Sequence, residues 1–318
     1  MPIALLFYSI LILVLSLLII GLLSDRIIRY VLVLSKGLGF SEMAAGFVLL
    51  SVVTSLPELA VSALAAVGGE GGLSLGNVLG SNVANLTIII GLAVFLSKTI
   101  VSLKGESQKE LVQFLFISSI IPLFIVQRGT LSPVLGIVLL ILFGYFSLIV
   151  SRKTGKIETL EKVKKGDFAL AGLKFLVSIA LVILLSKLAV DSAIDIADSL
   201  GLATSIIGAT VIGLGTSLPE LATTIQALKK GLFNMALGNI FGSCITNVTL
   251  ILGVSSLLSF SAVNVLAVEN IMFYVLLSSL TMWYLVSFNE RINRKAALVL
   301  CIIYILFVLQ QIGVHLLF

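Results

Sequence analysis

The chain has 318 residues, of which 59% are hydrophobic and 11% are charged, and its formal net charge is +5. Its mean hydropathy is +1.23, and soluble domains carry roughly a quarter charged residues. A soluble globular protein of this length could not bury so much apolar surface, so the composition excludes that class and indicates an integral membrane protein.

Ten apolar blocks follow one another along the chain. Each is about 20 residues long, which is enough for a helix to cross a hydrocarbon core of about 30 Å. We therefore predict an all-α integral membrane protein with ten transmembrane helices. The blocks cover residues 3–23, 42–67, 73–97, 110–127, 131–150, 168–190, 203–228, 235–259, 266–288 and 295–315.

The basic residues predict the orientation of these helices. With the N-terminus placed outside, most of the 20 lysine and arginine residues fall in loops that face the cytoplasm, and the densest group lies at 152–165. The positive-inside rule therefore predicts a multi-pass protein of the cell (plasma) membrane with both termini extracellular. The positive charge then reflects loops beside anionic lipid, and it gives no reason to expect nucleic acid binding.

A seven-residue phrase, Thr-Ser-Leu-Pro-Glu-Leu-Ala, occurs at residues 54–60 and again at residues 216–222. The two copies are 162 positions apart, and the same shift aligns Gly76-Asn77 with Gly238-Asn239, Gly80-Ser81 with Gly242-Ser243, and Asn85 with Asn247. Agreement in register over some fifty residues indicates an internal duplication.

The duplication divides the chain into two halves. Residues 1–150 are predicted to form a first five-helix repeat, residues 151–166 a cytoplasmic linker, and residues 167–318 a second five-helix repeat. Because each repeat has an odd number of helices, the second must be inverted in the membrane relative to the first. Inverted repeats with helices broken near the centre are typical of secondary transporters.

The repeated phrase places a proline and a carboxylate deep in a membrane span. Pro57 and Pro219 have no N–H to donate, so they free backbone oxygens near Val53 and Gly215. The following residues, Glu58 and Glu220, are the acidic residues that lie deep inside apolar blocks, with no lysine or arginine at matching depth. An ionised carboxylate there costs about 2.5–3.5 kcal/mol, so each needs a proton or a metal ion.

The inverted symmetry is expected to bring Glu58 and Glu220 together, and a divalent cation would balance both charges. The neighbouring oxygens suit a hard ion such as Ca²⁺, which takes about 6–8 oxygen ligands. Ser81 and Asn85 are four residues apart, as are Ser243 and Asn247, so each pair shares one helical face. The candidate oxygen donors are Thr54, Ser55, Ser81, Asn85, Thr216, Ser217, Ser243 and Asn247, together with the freed carbonyls.

The glycines in these segments are interpreted as packing residues. Gly76 and Gly80, and likewise Gly238 and Gly242, have the four-residue spacing of small residues that allows helices to approach closely. A soft metal is not favoured, because His315 is the single histidine and Cys244 has no second thiol beside it.

The phrases Gly-Thr-Ser-Leu-Pro-Glu at 215–220 and Gly-Asn-Ile-Phe-Gly-Ser at 238–243, with their first-half partners, resemble the alpha repeats of the sodium/calcium exchanger family, in the cation/calcium antiporter superfamily. The duplicated layout resembles that family, in a prokaryotic form without regulatory domains, over essentially the whole chain. The resemblance implies a non-enzymatic antiporter that exchanges Na⁺ for Ca²⁺ by alternating access in the lipid bilayer. It implies no cofactor and no obligate protein partner.

The resemblance also implies roles for individual residues. Glu58 and Glu220, with the carbonyls of Thr54 and Thr216, would hold Ca²⁺, and Asn85 and Asn247 would face this central site. The first and sixth helices would slide across the core as the gate. The Na⁺ sites would be completed by Ser55, Ser81, Ser217 and Ser243, assisted by carbonyls near Ser51 and Gly213.

Two positions depart from the family pattern. Val53 stands where the second repeat has Gly215, so the two broken helices are not expected to be equally open. Some relatives carry an aspartate where this chain has Asn247, and its absence weakens the case for an additional K⁺ ion.

Three functions are compatible with the sequence. The first is Na⁺/Ca²⁺ antiport, which the hydroxyl-rich phrase favours. The second is Ca²⁺/H⁺ antiport with the same glutamates as proton acceptors. The third is a passive cation channel or an intramembrane enzyme. Inverted halves argue against the channel, and the lack of a Ser/His or Cys/His pair at depth argues against the enzyme.

Overall fold

The computed structural model describes residues 3–35, 50–98, 100–103, 106–124, 129–153, 165–258 and 265–313, and most of these are helical. The α-helices are Ile3–Ser35, Ser51–Thr54, Leu56–Val67, Gly71–Ala84, Ile90–Ser97, Glu106–Ile120, Pro133–Lys153, Lys165–Leu200, Thr204–Ile207, Gly213–Thr216, Leu218–Lys229, Phe233–Thr246, Leu252–Leu258, Val265–Tyr284 and Arg294–Gln311. Within the described ranges, π-helical turns cover Asn85–Ile89, Gly208–Ile212, Asn247–Ile251 and Leu285–Asn289.

Among the described residues, seven helices are long and apolar enough to cross a membrane. This confirms the predicted helical membrane protein, whereas the count of ten spans stays a prediction because part of the 42–67 block lies outside the described residues. Most of the predicted linker also lies outside them. The candidate spans are Leu6–Leu23, Gly71–Ser97, Gly172–Leu200, Thr204–Lys229, Phe233–Leu258, Val268–Asn289 and Arg294–Gln311, and two shorter apolar helices are Leu56–Val67 and Pro133–Ile149.

The two copies of the repeated phrase form kinked helices. The first kinked helix (residues 51–67) is interrupted at Ser55, with φ −84° and ψ 10°, and the second (Thr204–Lys229) at Ser217, with φ −84° and ψ 5°. Pro57 and Pro219 stand in the first turn after each interruption, where a proline cannot donate to the carbonyl one turn earlier. The predicted breaks are therefore one-residue kinks at matched positions.

Each kinked helix is followed by a helix that contains a π-helical turn. The first core helix (Gly71–Ser97) contains Asn85–Ile89, and the second (Phe233–Leu258) contains Asn247–Ile251, which is the same register in both repeats. In each turn a threonine hydroxyl donates to the carbonyl four residues earlier, Thr87 to Val83 and Thr249 to Ile245. Such bonds compete with regular helical geometry, and π-turns recur at functional sites.

Close packing between the two repeats depends on glycine. The first core helix lies directly on the start of the second kinked helix, and a Cβ on Gly80 would overlap the backbone of Ala209. A Cβ on Gly76 would lie 2.9 Å from the Cα of Ser205. The predicted packing role of these two glycines is confirmed, because no larger residue would allow the backbones to approach so closely.

The helices Ile3–Ser35 and Lys165–Leu200, here called the outer helices, pack along each other and expose apolar side chains such as Leu18 and Leu184. Their contacts with the kinked helices differ. Leu17 lies against Gly215, where a Cβ would be 2.6 Å from the Leu17 Cδ1 atom. The matched position in the first repeat is Val53, which packs in a cluster with Val182.

Polar contacts join the two repeats at both ends of the first core helix. At its start, the Thr204 hydroxyl donates to the Glu70 carboxylate at 3.1 Å. Beyond its end, strand Val101–Ser102 pairs antiparallel with strand Arg291–Ile292. Near this strand pair, Gln108 donates to Asn234 at 2.7 Å, and Lys109 pairs with Glu290 at 3.1 Å.

Candidate cation site

Glu58 and Glu220 are both completely buried where the two kinked helices meet. The Ser217 hydroxyl donates to Glu58 Oε1 at 3.3 Å, and the Ser55 hydroxyl donates to Glu220 Oε1 at 3.5 Å. Each carboxylate therefore contacts the kink that carries the other one. The crossed contacts bring the two acidic groups together between the two kinked helices.

Each carboxylate keeps one oxygen free of protein partners. Glu58 Oε2 and Glu220 Oε2 are buried, and neither has a hydrogen-bond partner among the residues that the structure describes. Two ion pairs elsewhere in the described part of the chain, Lys109 with Glu290 and Lys187 with Asp191, involve partly exposed side chains. A buried, unpaired carboxylate oxygen is unfavourable, so this arrangement fits a bound cation or proton.

Serine hydroxyls contact the two carboxylates, and some of the same hydroxyls also contact a backbone carbonyl. The Ser243 hydroxyl donates to Glu220 Oε1 at 3.2 Å and lies 3.3 Å from the Thr54 hydroxyl. The Gly213 carbonyl accepts hydrogen bonds from Ser81 at 3.1 Å and from Ser217 at 2.9 Å. The structure thus places the hydroxyls of Ser55, Ser217 and Ser243 in direct contact with the glutamates. Thr54 contacts Ser243, and Ser81 shares the Gly213 carbonyl with Ser217.

The remaining predicted donors occupy the same buried region. Thr54 donates to the Ser51 carbonyl at 3.3 Å, which is the carbonyl assigned to a Na⁺ site by resemblance. Thr216 donates to the Ile212 carbonyl at 3.0 Å. Ser51, Thr54 and Thr216 are all completely buried, so their backbone oxygens are shielded from lipid and water.

Asn85 and Asn247 lie one turn beyond Ser81 and Ser243 on the core helices, and both are buried. Asn247 donates to Asn82 Oδ1 at 3.0 Å. Asn247 Oδ1 and both polar side-chain atoms of Asn85 have no hydrogen-bond partner within the described ranges. Their predicted orientation toward the central site stays a prediction, since the structure records no contact between these amides and the glutamates.

Asn77 and Asn239 were not predicted as functional residues. Thr216 donates to Asn77 Oδ1 at 3.3 Å, and Thr54 donates to Asn239 Oδ1 at 3.2 Å. Their recurrence at matched positions beside Gly76 and Gly238 is the signal that could have identified them. Asn82 has no such signal, because its matched position is occupied by Cys244.

The site combines two carboxylates with hydroxyl and carbonyl oxygens in a dry environment. This is the donor set that Ca²⁺ and other hard cations prefer, and two carboxylates balance one divalent ion. Thiol and imidazole groups do not contribute to the contacts described above. The donor set of the site therefore suits reversible binding of a hard cation.

The sodium/calcium exchanger protein family matches residues 8–152 and 170–313, which includes both repeats. The chain is 29% identical to sodium/calcium exchanger MaX1 of Methanosarcina acetivorans, over 89% of this chain and 93% of that protein. It is 31% identical to inner membrane protein YrbG of Escherichia coli, over 79% of this chain and 82% of that protein.

The fold is similar to that of a solved exchanger. The sodium-calcium exchanger NCX_Mj, in a crystal soaked with Na⁺, superimposes with a TM-score of 0.68 over 95% of this chain and 98% of its own chain. The two sequences are 24% identical over this match, so the likeness bears on the fold.

Proposed function

The chain belongs to the sodium/calcium exchanger protein family of cation/calcium antiporters, and we propose that it exchanges Na⁺ for Ca²⁺ across the cell membrane by alternating access. The observation that carries the proposal is the pair of buried carboxylates, Glu58 and Glu220, which face each other between the repeats. Two negative charges in a completely buried site can be balanced by one Ca²⁺ or by Na⁺ ions, which makes the two substrates compete for the same groups.

The proposed Ca²⁺ ligands are the carboxylates of Glu58 and Glu220 and the carbonyls of Thr54 and Thr216. The free Oε2 atom of each glutamate supports this assignment. Asn85 and Asn247 complete the central site. The proposed Na⁺ ligands are Ser55, Ser81, Ser217 and Ser243, with the carbonyls of Ser51 and Gly213, and their contacts with one another and with the glutamates support this grouping.

The proposed architecture is two inverted five-helix repeats, residues 1–150 and 167–318, with both termini extracellular. Glu70 ends the turn after the first kinked helix, directly before the first core helix begins, and its carboxylate accepts from Thr204 at the start of the second kinked helix. Asn234, close to the matched turn of the second repeat, contacts Gln108 beyond the opposite end of the first core helix. Matched turns at opposite ends are what an inverted repeat requires.

Alternating access is proposed to occur by sliding of the outer helices along the kinked helices. Leu13 and Leu17 of one outer helix and Ala189 and Ala193 of the other belong to a single apolar cluster, which includes Val61 of the first kinked helix. Such contacts lack the directional hydrogen bonds that would fix one helix register. They support a shear motion between packed helices.

The coupling ion is tested in proteoliposomes at equal pH on both sides of the membrane. Vesicles loaded with Na⁺ and diluted into Na⁺-free medium containing radioactive Ca²⁺ are expected to accumulate Ca²⁺, because outward Na⁺ movement drives its uptake. Vesicles loaded with choline instead of Na⁺ serve as the control. Uptake that requires a pH gradient and ignores the Na⁺ gradient would contradict Na⁺ coupling.

Ca²⁺/H⁺ exchange is the second candidate function. The buried, unpaired Oε2 atoms of Glu58 and Glu220 favour it, because either oxygen could accept a proton in place of a metal ion. The same vesicles distinguish the two candidates when the pH gradient is imposed without Na⁺.

A further inference from the structure

Asn77 of the first core helix joins the two kinked helices through the opposite ends of its amide. Its Nδ2 group donates to the Ser62 hydroxyl at 2.9 Å and to the Glu58 carbonyl at 3.2 Å, both on the first kinked helix. Its Oδ1 atom accepts from the Thr216 hydroxyl at 3.3 Å, on the second kinked helix. One rigid amide therefore spans the helices that carry the two glutamates.

Asn239 of the second core helix makes the matched contacts. Its Nδ2 group donates to the hydroxyls of Thr223 at 3.0 Å and Thr224 at 3.4 Å, on the second kinked helix. Its Oδ1 atom accepts from the Thr54 hydroxyl at 3.2 Å, on the first kinked helix. Asn239 and Asn77 thus form two brackets of opposite direction between the kinked helices that carry Glu58 and Glu220.

We infer that Asn77 and Asn239 are positioning residues that set the separation of the two kinked helices and so the size of the cation cavity. The inference rests on the proposed function of the Glu58–Glu220 site. Both asparagines are completely buried, and a buried amide whose donor and acceptor are both satisfied makes its surroundings rigid. Discrimination among divalent cations depends on cavity size and ligand rigidity.

A role in folding alone predicts a different result. An amide that only held the helices together would stabilise the protein without changing which cations it prefers. The order of cation preference therefore separates a positioning role from a purely structural one. Ba²⁺ is a useful probe because it is a larger hard cation than Ca²⁺ with the same charge.

The test measures Na⁺-driven Ca²⁺ uptake in proteoliposomes with Ba²⁺ as competitor, for the wild-type chain, Asn77→Ala and Asn239→Ala. We expect the ratio of the Ba²⁺ half-inhibiting concentration to the Ca²⁺ half-saturating concentration to fall by about fivefold in each variant, the effect of about one lost hydrogen bond. The matched control is Ser279→Ala, which removes the 2.8 Å bond between Ser119 and Ser279, both completely buried. Its ratio is expected to equal that of the wild type.

Thr216→Val supplies a variant that keeps the backbone carbonyl and both asparagines. It removes the hydroxyl bond to Asn77 together with the local bond to the Ile212 carbonyl within the same helix. Because Asn77 is proposed to act through Thr216, Asn77→Ala with Thr216→Val should lower the ratio no further than Asn77→Ala alone. If Asn77→Ala does not fold, the ratio of Thr216→Val decides the question.

An unchanged ratio in variants that still transport Ca²⁺ would overturn the inference, as would an equal fall in Ser279→Ala. The proposed function fails separately, when the wild-type chain itself takes up no Ca²⁺ under a Na⁺ gradient.

Discussion

Replacing either Glu58 or Glu220 with glutamine is expected to abolish Ca²⁺ uptake while leaving the protein folded. Glutamine keeps the shape of the side chain but removes one of the two charges that balance Ca²⁺ in a completely buried site. A divalent ion beside one carboxylate would leave uncompensated charge in a medium of low dielectric constant, so the loss should exceed about 100-fold, or about 2.7 kcal/mol. Proteoliposome uptake of radioactive Ca²⁺ measures it.

The matched control for this prediction is Glu269→Gln. Glu269 is an exposed glutamate on the helix Val265–Tyr284, and its substitution should leave uptake unchanged. Gel filtration and thermal melting of all three variants verify that they fold. Uptake at the wild-type level by Glu58→Gln or Glu220→Gln would refute the central site.

A Gly80→Val substitution is expected to prevent formation of the native fold. A Cβ at this position would overlap the backbone of Ala209, and backbone atoms cannot move aside as the end of a flexible side chain can. Overpacking within a core costs about 1–3 kcal/mol even where side chains can adjust, so the cost here should be larger. The yield of monodisperse purified protein and its melting temperature measure the effect.

Gly144→Val is the control, because a Cβ on Gly144 meets no other atom within 4 Å. It lies in the helix Pro133–Lys153, where it is expected to change the free energy of unfolding by less than about 1 kcal/mol. A Gly80→Val protein that purifies in good yield and melts like Gly144→Val would show that the first core helix does not lie against Ala209 as described.

The repeated phrase alone indicates which two carboxylates are buried at the kinks of the helices. Glu58 and Glu220 are costly in lipid unless they serve a cation, and Pro57 and Pro219 require a kink, so both features follow from elementary physical chemistry. The prediction of a helical membrane protein followed from hydropathy in the same way. Gly76 and Gly80 were interpreted correctly as packing residues, although their contact surface on Ser205 and Ala209 is a property of the folded chain.

Other features could not be predicted because they depend on contacts between the repeats. The recurrence of Asn77 as Asn239 marks the residue in the sequence, but its partners, Ser62 and Thr216, lie in different halves of the chain and could not be predicted. The π-turns at Asn85–Ile89 and Asn247–Ile251 have no marker in composition or hydropathy. The outer helix Lys165–Leu200 extends beyond the predicted 168–190 block, because helical structure does not end where the apolar segment ends.

The contact of Leu17 with Gly215 means that the two halves are no longer interchangeable parts. A chain made by repeating the first half would set a valine, as at Val53, against Leu17, where even one Cβ atom lies at 2.6 Å. A chain made by repeating the second half would set a glycine against Val182 and leave a gap. The two repeats therefore complement each other as the unlike subunits of a heterodimer do.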